Sequence, residues 1–363
     1  MNLWQNFSED CNQQSSKTKT IALPQHRVDI EYDAAPIRAG EAYCQIWLVE
    51  MRLAKNVEWF KKRYPVVHSA IRFNYGLDPV TIPYLIQPEF LKELSQENLD
   101  RVVVSNQPLT PLFPFNHGLV SLEVGLFSMI ASDPISKFIT TLGRFTDLLP
   151  VPELARALEL AKPVYKGIED LLGAGDSELK LGYQQTFTEA GGGGANDLKA
   201  GYFAVILAED EQIRDDSLCV VNDRLSSGFP GSTKTFIRDA EPLADYSYML
   251  FRLEKRTEQD WESLKSIKEL VDKAQDAAAY GKYEFVKQHL IPSIRTTILQ
   301  SSDISKNDRK IMIRKIEAEL KESGLQSVSS QRRSLYTIMQ RPLPELDPET
   351  ETELKALESL FEQ

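Results

Sequence analysis

The chain has 363 residues, which is long enough for one large domain with additions or for two domains, each with its own core. Its formal net charge of −11 argues against general attraction to nucleic acid, because that attraction needs Lys and Arg to displace counterions from phosphates. Three widely spaced cysteines, Cys11, Cys44 and Cys219, indicate neither a disulfide framework nor a zinc site, so we expect a protein of the reducing cytoplasm.

Residues 1–40 are predicted to form a flexible N-terminal arm. The stretch from residue 12 to residue 20 is rich in Gln, Ser, Lys and Thr. Such a segment buries too little apolar surface to offset the entropy that is lost when a chain becomes ordered.

Residues 41–256 show the alternation of apolar and polar residues that is typical of half-buried strands. In residues 44–54 this alternation predicts that Trp47, Val49, Met51 and Leu53 share one face of a strand. Two other strands are predicted to face the core through these sets: Val120, Leu122, Val124 and Leu126 in the first, and Met249, Phe251 and Leu253 in the second.

Residues 134–173 interrupt the strand series with apolar residues at helical spacing, which predicts an inserted helical hairpin. The polar face of this hairpin carries charges of both signs and lacks the basic excess expected of a helix that binds anionic lipid. We therefore expect the hairpin to cover one face of the strands, with entry into a membrane as the alternative.

Residues 257–324 are predicted to form a helical bundle. Ser305 is placed to cap one helix and Gly324 to end it, whereas Gly281 is placed to end the helix before it. Residues 325–363 are predicted to be a linker followed by an acidic amphipathic tail helix.

These elements together predict an α+β fold. We expect an antiparallel β-sandwich of about eight strands within residues 41–256, with an inserted α-helical hairpin at residues 134–173, followed by the C-terminal helical bundle of residues 257–324.

Four consecutive glycines at residues 191–194 raise the question of a phosphate-binding loop. Such a loop needs a strand before it and a helix after it, so that backbone N–H groups face the anion. Here a strand ending at Phe187 precedes the glycines and a strand containing Tyr202 follows them. The sequence therefore favours a hairpin loop that only turns the chain.

The sequence contains no pattern of residues that indicates catalysis. Its four histidines are His26, His68, His117 and His289, and none of them lies at metal-ligand spacing from another. Motifs of serine, cysteine and zinc hydrolases are also missing. We therefore expect no cofactor and a protein that is not an enzyme.

One loop concentrates carboxylates and leaves the question of a metal site open. Oxygen-rich loops can hold Ca²⁺, which takes six to eight oxygen ligands. Solvated surface charge is the preferred interpretation, and a calcium site that also involves Asp223 is the alternative. The residues concerned are Glu209, Asp210, Glu211, Asp215 and Asp216.

The tail from residue 341 to residue 363 holds seven acidic and two basic residues. Acidic residues at the start of a helix complement its dipole, so this segment is predicted to form a helix. The helix is expected either to dock in a groove on a partner or to pack back on its own chain. Its apolar side would consist of Leu354, Leu357, Leu360 and Phe361.

The function expected from these patterns is that of a non-enzymatic intracellular adaptor in a multi-protein assembly, bound to a protein partner through the tail helix and one face of the sandwich. An alternative is a membrane-acting effector that uses the hairpin of residues 134–173 after proteolysis near residues 328–337. A third is a calcium-dependent binding module or an unrecognised enzyme. Binding to nucleic acid and a membrane span are not expected, whereas peripheral membrane contact and the oligomeric state are left open.

Overall fold

The protein is represented by a computed structural model that describes residues 17–54, 57–58, 61–86, 102–130, 177–189, 196–209, 212–228 and 240–322. Within these residues it has a mixed α+β fold in which every strand ladder is antiparallel and the α-helices follow the strands. The prediction of an α+β protein built on antiparallel sheets is thus confirmed.

Fourteen strands occur in the described residues. In chain order they are β1 (Thr18–Leu23), β2 (Tyr43–Arg52), β3 (Val57–Glu58), β4 (Lys61–Tyr75), β5 (Asp78–Ile86), β6 (Val102–Pro108), β7 (Phe113–Pro114), β8 (Val120–Ile130), β9 (Ser177–Phe187), β10 (Gly201–Leu207), β11 (Leu218–Val221), β12 (Arg224–Ser227), β13 (Glu241–Pro242) and β14 (Tyr248–Arg256). We expected about eight strands, and four of the additional ones, β3, β7, β12 and β13, have only two to four residues, which is too short to show an alternating pattern.

The strands form three sheets. The six-stranded sheet has the order β1-β10-β14-β2-β6, with β7 also paired with β2. The five-stranded sheet has the order β3-β4-β8-β9, with β5 also paired with β4, and the small sheet has the order β11-β12-β13. Because β9 and β10 lie in different sheets, residues 188–200 connect two sheets, and the hairpin predicted around residues 191–194 is wrong. The four glycines themselves lie outside the described residues.

Side chains from the two larger sheets share one hydrophobic core. Both predicted sets of apolar residues, in β8 and in β14, belong to it, as their alternation required. The ring of Phe251 stacks on Phe203 at a centroid distance of 5.0 Å and on Tyr183 of the five-stranded sheet at 6.5 Å. Phe251 therefore connects the packing of the two sheets.

The opposite face of the six-stranded sheet carries a second core, which the small sheet helps to form. Leu218, Val220 and Leu225 of the small sheet pack there with Val49 and Leu250. We call this side of the six-stranded sheet its outer face.

A β-bulge in β2 changes the face on which its side chains lie. Leu250 pairs with Glu50 and Phe251 pairs with Leu48, so Val49 is left as an extra residue without a partner in β14. Leu48 and Met51 belong to the core between the sheets, whereas Val49 belongs to the outer core. The prediction that Trp47, Val49, Met51 and Leu53 share one face is therefore wrong, because the bulge reverses the alternation midway.

Strand β1 lies within the range predicted as a flexible arm. It pairs with β10 over its whole length, from Thr18 opposite Leu207 to Leu23 opposite Tyr202. Ile21 and Leu23 are buried in the outer core. The burial of these two side chains and the hydrogen bonds of the ladder with β10 stabilise β1 as a strand, although polar residues precede it.

The described C-terminal residues form α1 (Lys265–Ala279), α2 (Tyr283–Phe285), a π-helical turn (Val286–Leu290), α3 (Ile291–Gln300) and α4 (Lys306–Glu322). They enclose a third apolar core. The predicted cap and stop are confirmed: Ser305 Oγ accepts the Asp308 N–H at 3.3 Å, and Gly281 lies just beyond α1 with φ +72°. None of the described helices has the length and apolar character that crossing a membrane requires.

A buried hydrogen-bond cluster joins the helices to the six-stranded sheet. The Tyr43 hydroxyl donates to Asp308 Oδ2 at 2.6 Å and accepts the Ser305 N–H at 3.2 Å, while the Gln259 N–H donates to Asp308 at 3.0 Å. The pKa of the Asp308 carboxyl is raised, and burial is the main cause. The start of α4 is thereby fixed to β2.

Candidate functional site

Three large side chains form a row across the outer face of the six-stranded sheet. Tyr202 lies opposite Arg252 in the β10–β14 pair, and Arg252 lies opposite Trp47 in the β14–β2 pair. Side chains directly opposite each other on one face of an antiparallel pair lie within contact distance. We call Trp47, Arg252 and Tyr202 the aromatic–arginine row.

The Arg252 guanidinium lies between two aromatic rings. Its Cζ is 4.8 Å from the centroid of Trp47 and 6.0 Å from that of Tyr202, and its Nη1 donates a long hydrogen bond of 3.4 Å to the Tyr202 hydroxyl. A cation held against an aromatic face is stabilised by the ring quadrupole, by about 0.5 to 2 kcal/mol. The row therefore holds the planar guanidinium in a fixed position.

Tyr32 extends the row beyond β10. Its ring lies 5.9 Å from that of Tyr202 at an angle of 58°, and its hydroxyl donates to the Leu23 carbonyl at 3.2 Å. The ring lies directly over Gly201, where an added Cβ would be 3.1 Å from Tyr32 Cε2. The φ of +143° at Gly201 also favours glycine, so both backbone and contact require this residue type.

Replacement of Gly201 by alanine is expected to displace the Tyr32 ring and to lower the free energy of unfolding by about 1 to 3 kcal/mol. Urea denaturation measures the change. Gly281→Ala is the matched control, because Gly281 also has a positive φ but has no neighbouring atom within 4 Å. A loss no larger than that of the control would contradict the role assigned to the Tyr32 contact.

Asp223 holds the Tyr202 hydroxyl from the other side. Its Oδ1 accepts from Tyr202 at 3.2 Å and its Oδ2 accepts from Asn106 Nδ2 at 2.7 Å. Asn106, Asn222 and Asp223 have φ values of 42°, 50° and 58°, and no other described non-glycine residue has a positive φ. Left-handed backbone at such residues costs free energy and is frequent at functional sites.

Buried polar atoms without a hydrogen-bond partner also occur in this region. They include Trp47 Nε1, Arg252 Nε and Asn106 Oδ1. Each such atom lowers stability by about 1 to 3 kcal/mol. Left-handed backbone at Asn106 and Asp223 thus lies beside the unsatisfied polar atoms of the row, and stability alone favours neither feature.

A pocket of about 480 Å³ opens beside the row, lined by Tyr32, Trp47, Tyr202 and Arg252 among others. Lys255 Nζ pairs with Asp33 at 3.0 Å and Arg256 Nε pairs with Glu254 at 2.6 Å at its charged rim. The size lies within the range of ligand pockets, and an aromatic wall with a few polar groups is typical of them.

A larger cavity of about 890 Å³ shares Tyr32, Ala200, Tyr202 and Leu253 with this pocket. Its lining includes the aromatic residues Tyr183 and Phe187. We take the smaller pocket as the candidate site, because it contains Arg252 and Trp47.

Glu50 forms a separate buried polar cluster beneath the small sheet. It is 1% exposed, and its Oε2 accepts the Leu225 N–H at 2.7 Å. Burial raises the pKa of Glu50 to about 7, an effect that the Leu225 hydrogen bond, the Tyr248 hydroxyl and the positive charges of Arg224 and Arg52 only partly oppose. The carboxyl is not among the residues that line either cavity.

The predicted site residues have different outcomes. The tail residues Leu354, Leu357, Leu360 and Phe361, the hairpin of residues 134–173 and the cleavage region near residues 328–337 lie outside the described residues, as do Asp210 and Glu211.

Both described aspartates of the acidic loop are paired with basic side chains. Asp215 pairs with Lys19 at 2.7 Å, and Asp216 pairs with Arg214 at 2.6 Å. Across the part of the chain that the structure describes, no group of three His, Cys, Asp or Glu side chains is placed to hold a metal ion. The calcium alternative thus gains no geometric support there.

Sequence reasoning did not identify the aromatic–arginine row. The alternation places Trp47 in an apolar set and gives Arg252 and Tyr202 no role beyond that of strand residues. The sequence does contain one indication of the row. Arg252 is a charged residue between two core-facing residues of β14, at a position that faces away from the core. Its neighbours across the sheet, however, are 50 and 205 residues distant in sequence, as their residue numbers show.

Comparison of the chain with protein-family models, with curated proteins and with solved structures gave no match.

Proposed function

We propose that this chain is a non-enzymatic adaptor protein of the cytoplasm that binds a protein partner on the open part of the outer sheet face. The observation that carries the proposal is the aromatic–arginine row beside an accessible pocket. Aromatic residues and arginine supply most of the binding energy in protein interfaces.

The proposal also uses finer features of the fold. We infer that the two larger sheets are the layers of a β-sandwich, that the C-terminal helices form a bundle, and that the tail helix of Leu354, Leu357, Leu360 and Phe361 is a second contact. The shared core of the two sheets supports the first inference, and the apolar core of α1, α3 and α4 supports the second.

The titratable groups beneath the small sheet whose pKa values are shifted are buried, and this burial favours a binding role over a catalytic one. Glu50, with its raised pKa, and Tyr248 are almost fully buried and belong to the packing of the small sheet. A general acid or base must reach the atom whose proton it transfers. The accessible pocket instead presents Arg252, whose charge is fixed at physiological pH.

The experiment compares partner recovery by tagged full-length protein and two variants. Trp47→Ala removes one wall of the row, and Tyr280→Ala, at a residue 81% exposed in the loop after α1, is the control. We expect partners found with the parent chain to bind Trp47→Ala at least about 30-fold more weakly when purified and titrated, which corresponds to a loss of about 2 kcal/mol. Tyr280→Ala should bind as the parent does.

Equal affinity of Trp47→Ala and the parent for every purified partner would refute binding through this face. Deletion of residues 342–363 tests the tail independently. Unchanged binding after that deletion would remove the tail from the proposal.

A further inference from the structure

The charge of Arg252 lacks a counter-ion within the described residues. None of the ion pairs among those residues involves it. Its hydrogen bond there goes to the neutral Tyr202 hydroxyl, and the carboxylate of Asp223 lies on the far side of that hydroxyl. A half-buried cation that contacts aromatic rings and a neutral hydroxyl, and has no ion-pair partner, is a ready site for an anion.

The other basic groups of the pocket are already paired. Lys255 is bound to Asp33 and Arg256 to Glu254, while Glu31 adds a further exposed carboxylate to the lining. The three carboxylates and two cations of the rim sum to −1, so Arg252 is the one basic side chain of the lining without an ion-pair partner among the described residues. This balance favours a group with a single negative charge over a phosphate, which carries nearly two charges near pH 7.

The donors of Arg252 suit a planar anion. Arginine presents its donors in a rigid fork that matches the two oxygens of a carboxylate. The Trp47 ring lies 4.8 Å from Cζ of Arg252, and Nη1 donates to the Tyr202 hydroxyl, so two contacts restrain the guanidinium. Because the guanidinium is already oriented, a carboxylate that binds it loses less side-chain entropy than it would with a free arginine.

We propose that the pocket binds an Asp or Glu side chain of a partner protein segment, with Arg252 as the anchor of its carboxylate. The inference rests on the proposed function, because a protein partner supplies the carboxylate. Trp47 and Tyr32 contact the apolar residues that flank it. Volume limits the ligand to a short segment around one acidic side chain.

An array of random 12-residue peptides, probed with the full-length parent protein, tests the proposal. Peptides with one acidic residue beside an aromatic or aliphatic residue are expected to be enriched. For a selected peptide, replacement of its acidic residue by the matching amide should weaken binding about 10- to 100-fold in a fluorescence titration. This comparison needs no variant of the protein and therefore does not depend on how a substitution folds.

Variants of the protein give the second readout. Arg252→Gln should bind the acidic peptide and its amide form with nearly equal affinity, whereas Leu77→Gln, at an exposed position, should keep the parent's preference. Enrichment of peptides that share no acidic position would refute the binding of a carboxylate by Arg252. It would leave the proposed binding of a protein partner in place. A preference for phosphorylated peptides would assign the pocket to a phosphate ligand. Succinate that binds with the same affinity as the selected peptide would assign it to a small carboxylic acid. Absence of any enriched peptide would count against both proposals.

Discussion

Replacement of Phe251 by alanine is expected to lower the free energy of unfolding by about 3 to 5 kcal/mol. Phe251 is fully buried, and its ring stacks on Phe203 and Tyr183, which belong to different sheets. The smaller side chain would leave a cavity in the core that both sheets share, and close packing prevents the surroundings from filling it. Chemical denaturation followed by circular dichroism measures the change.

Phe285→Ala is the matched control for Phe251→Ala. Phe285 belongs to a helix and is 49% exposed, so the same chemical change should alter stability by no more than about 0.5 kcal/mol. A cost below about 1 kcal/mol for Phe251→Ala would show that the two sheets do not depend on this ring for their packing.

The buried Glu50 is expected to make stability depend on pH. Its pKa is raised to about 7 in the folded protein from an ordinary value of 4.5, so protonation favours the folded state. Below pH 4.5 the carboxyl is protonated in both states, and its favourable contribution is complete. As pH rises from 4.5 to about 7, the unfolded state loses the proton first and the contribution is lost.

Between pH 5 and pH 8 this linkage amounts to about 2 to 3 kcal/mol of unfolding free energy. Glu50→Gln keeps an acceptor for the Leu225 N–H but does not ionise. We therefore expect urea denaturation to show that the variant gains stability relative to the parent as pH rises over this range. The control is Glu241→Gln at an exposed position of β13, which should follow the parent. A constant difference between Glu50→Gln and the parent would exclude the linkage.

Strands without irregularities were predictable because one face of each lies on the core. In β8 and β14 the predicted apolar residues occupy every second position, and every one of them packs between the sheets. The helix stop at Gly281 and the cap at Ser305 were predictable for a local reason, because each depends on the backbone within one turn.

The bulge at Val49 could not be predicted from β2 alone. A bulge is defined by pairing with another strand, and the partner β14 begins almost 200 residues later. The same limit applies to the candidate site. Tyr202, Arg252 and Trp47 meet only through the register of three strands, and alternation within each strand does not specify that register.

The connectivity of the six-stranded sheet has a consequence for synthesis on the ribosome. Strand β2 lies between β14 and β6, and β1 lies beside β10, so β1 and one edge of β2 stay unpaired until the late strands β10 and β14 are synthesised. Met51 pairs with Met249, and at about 5 to 20 residues per second translation separates them by roughly 10 to 40 s. During that interval the nascent chain exposes unpaired strand edges, so we expect its yield to depend on chaperones that shield such edges until translation is nearly finished.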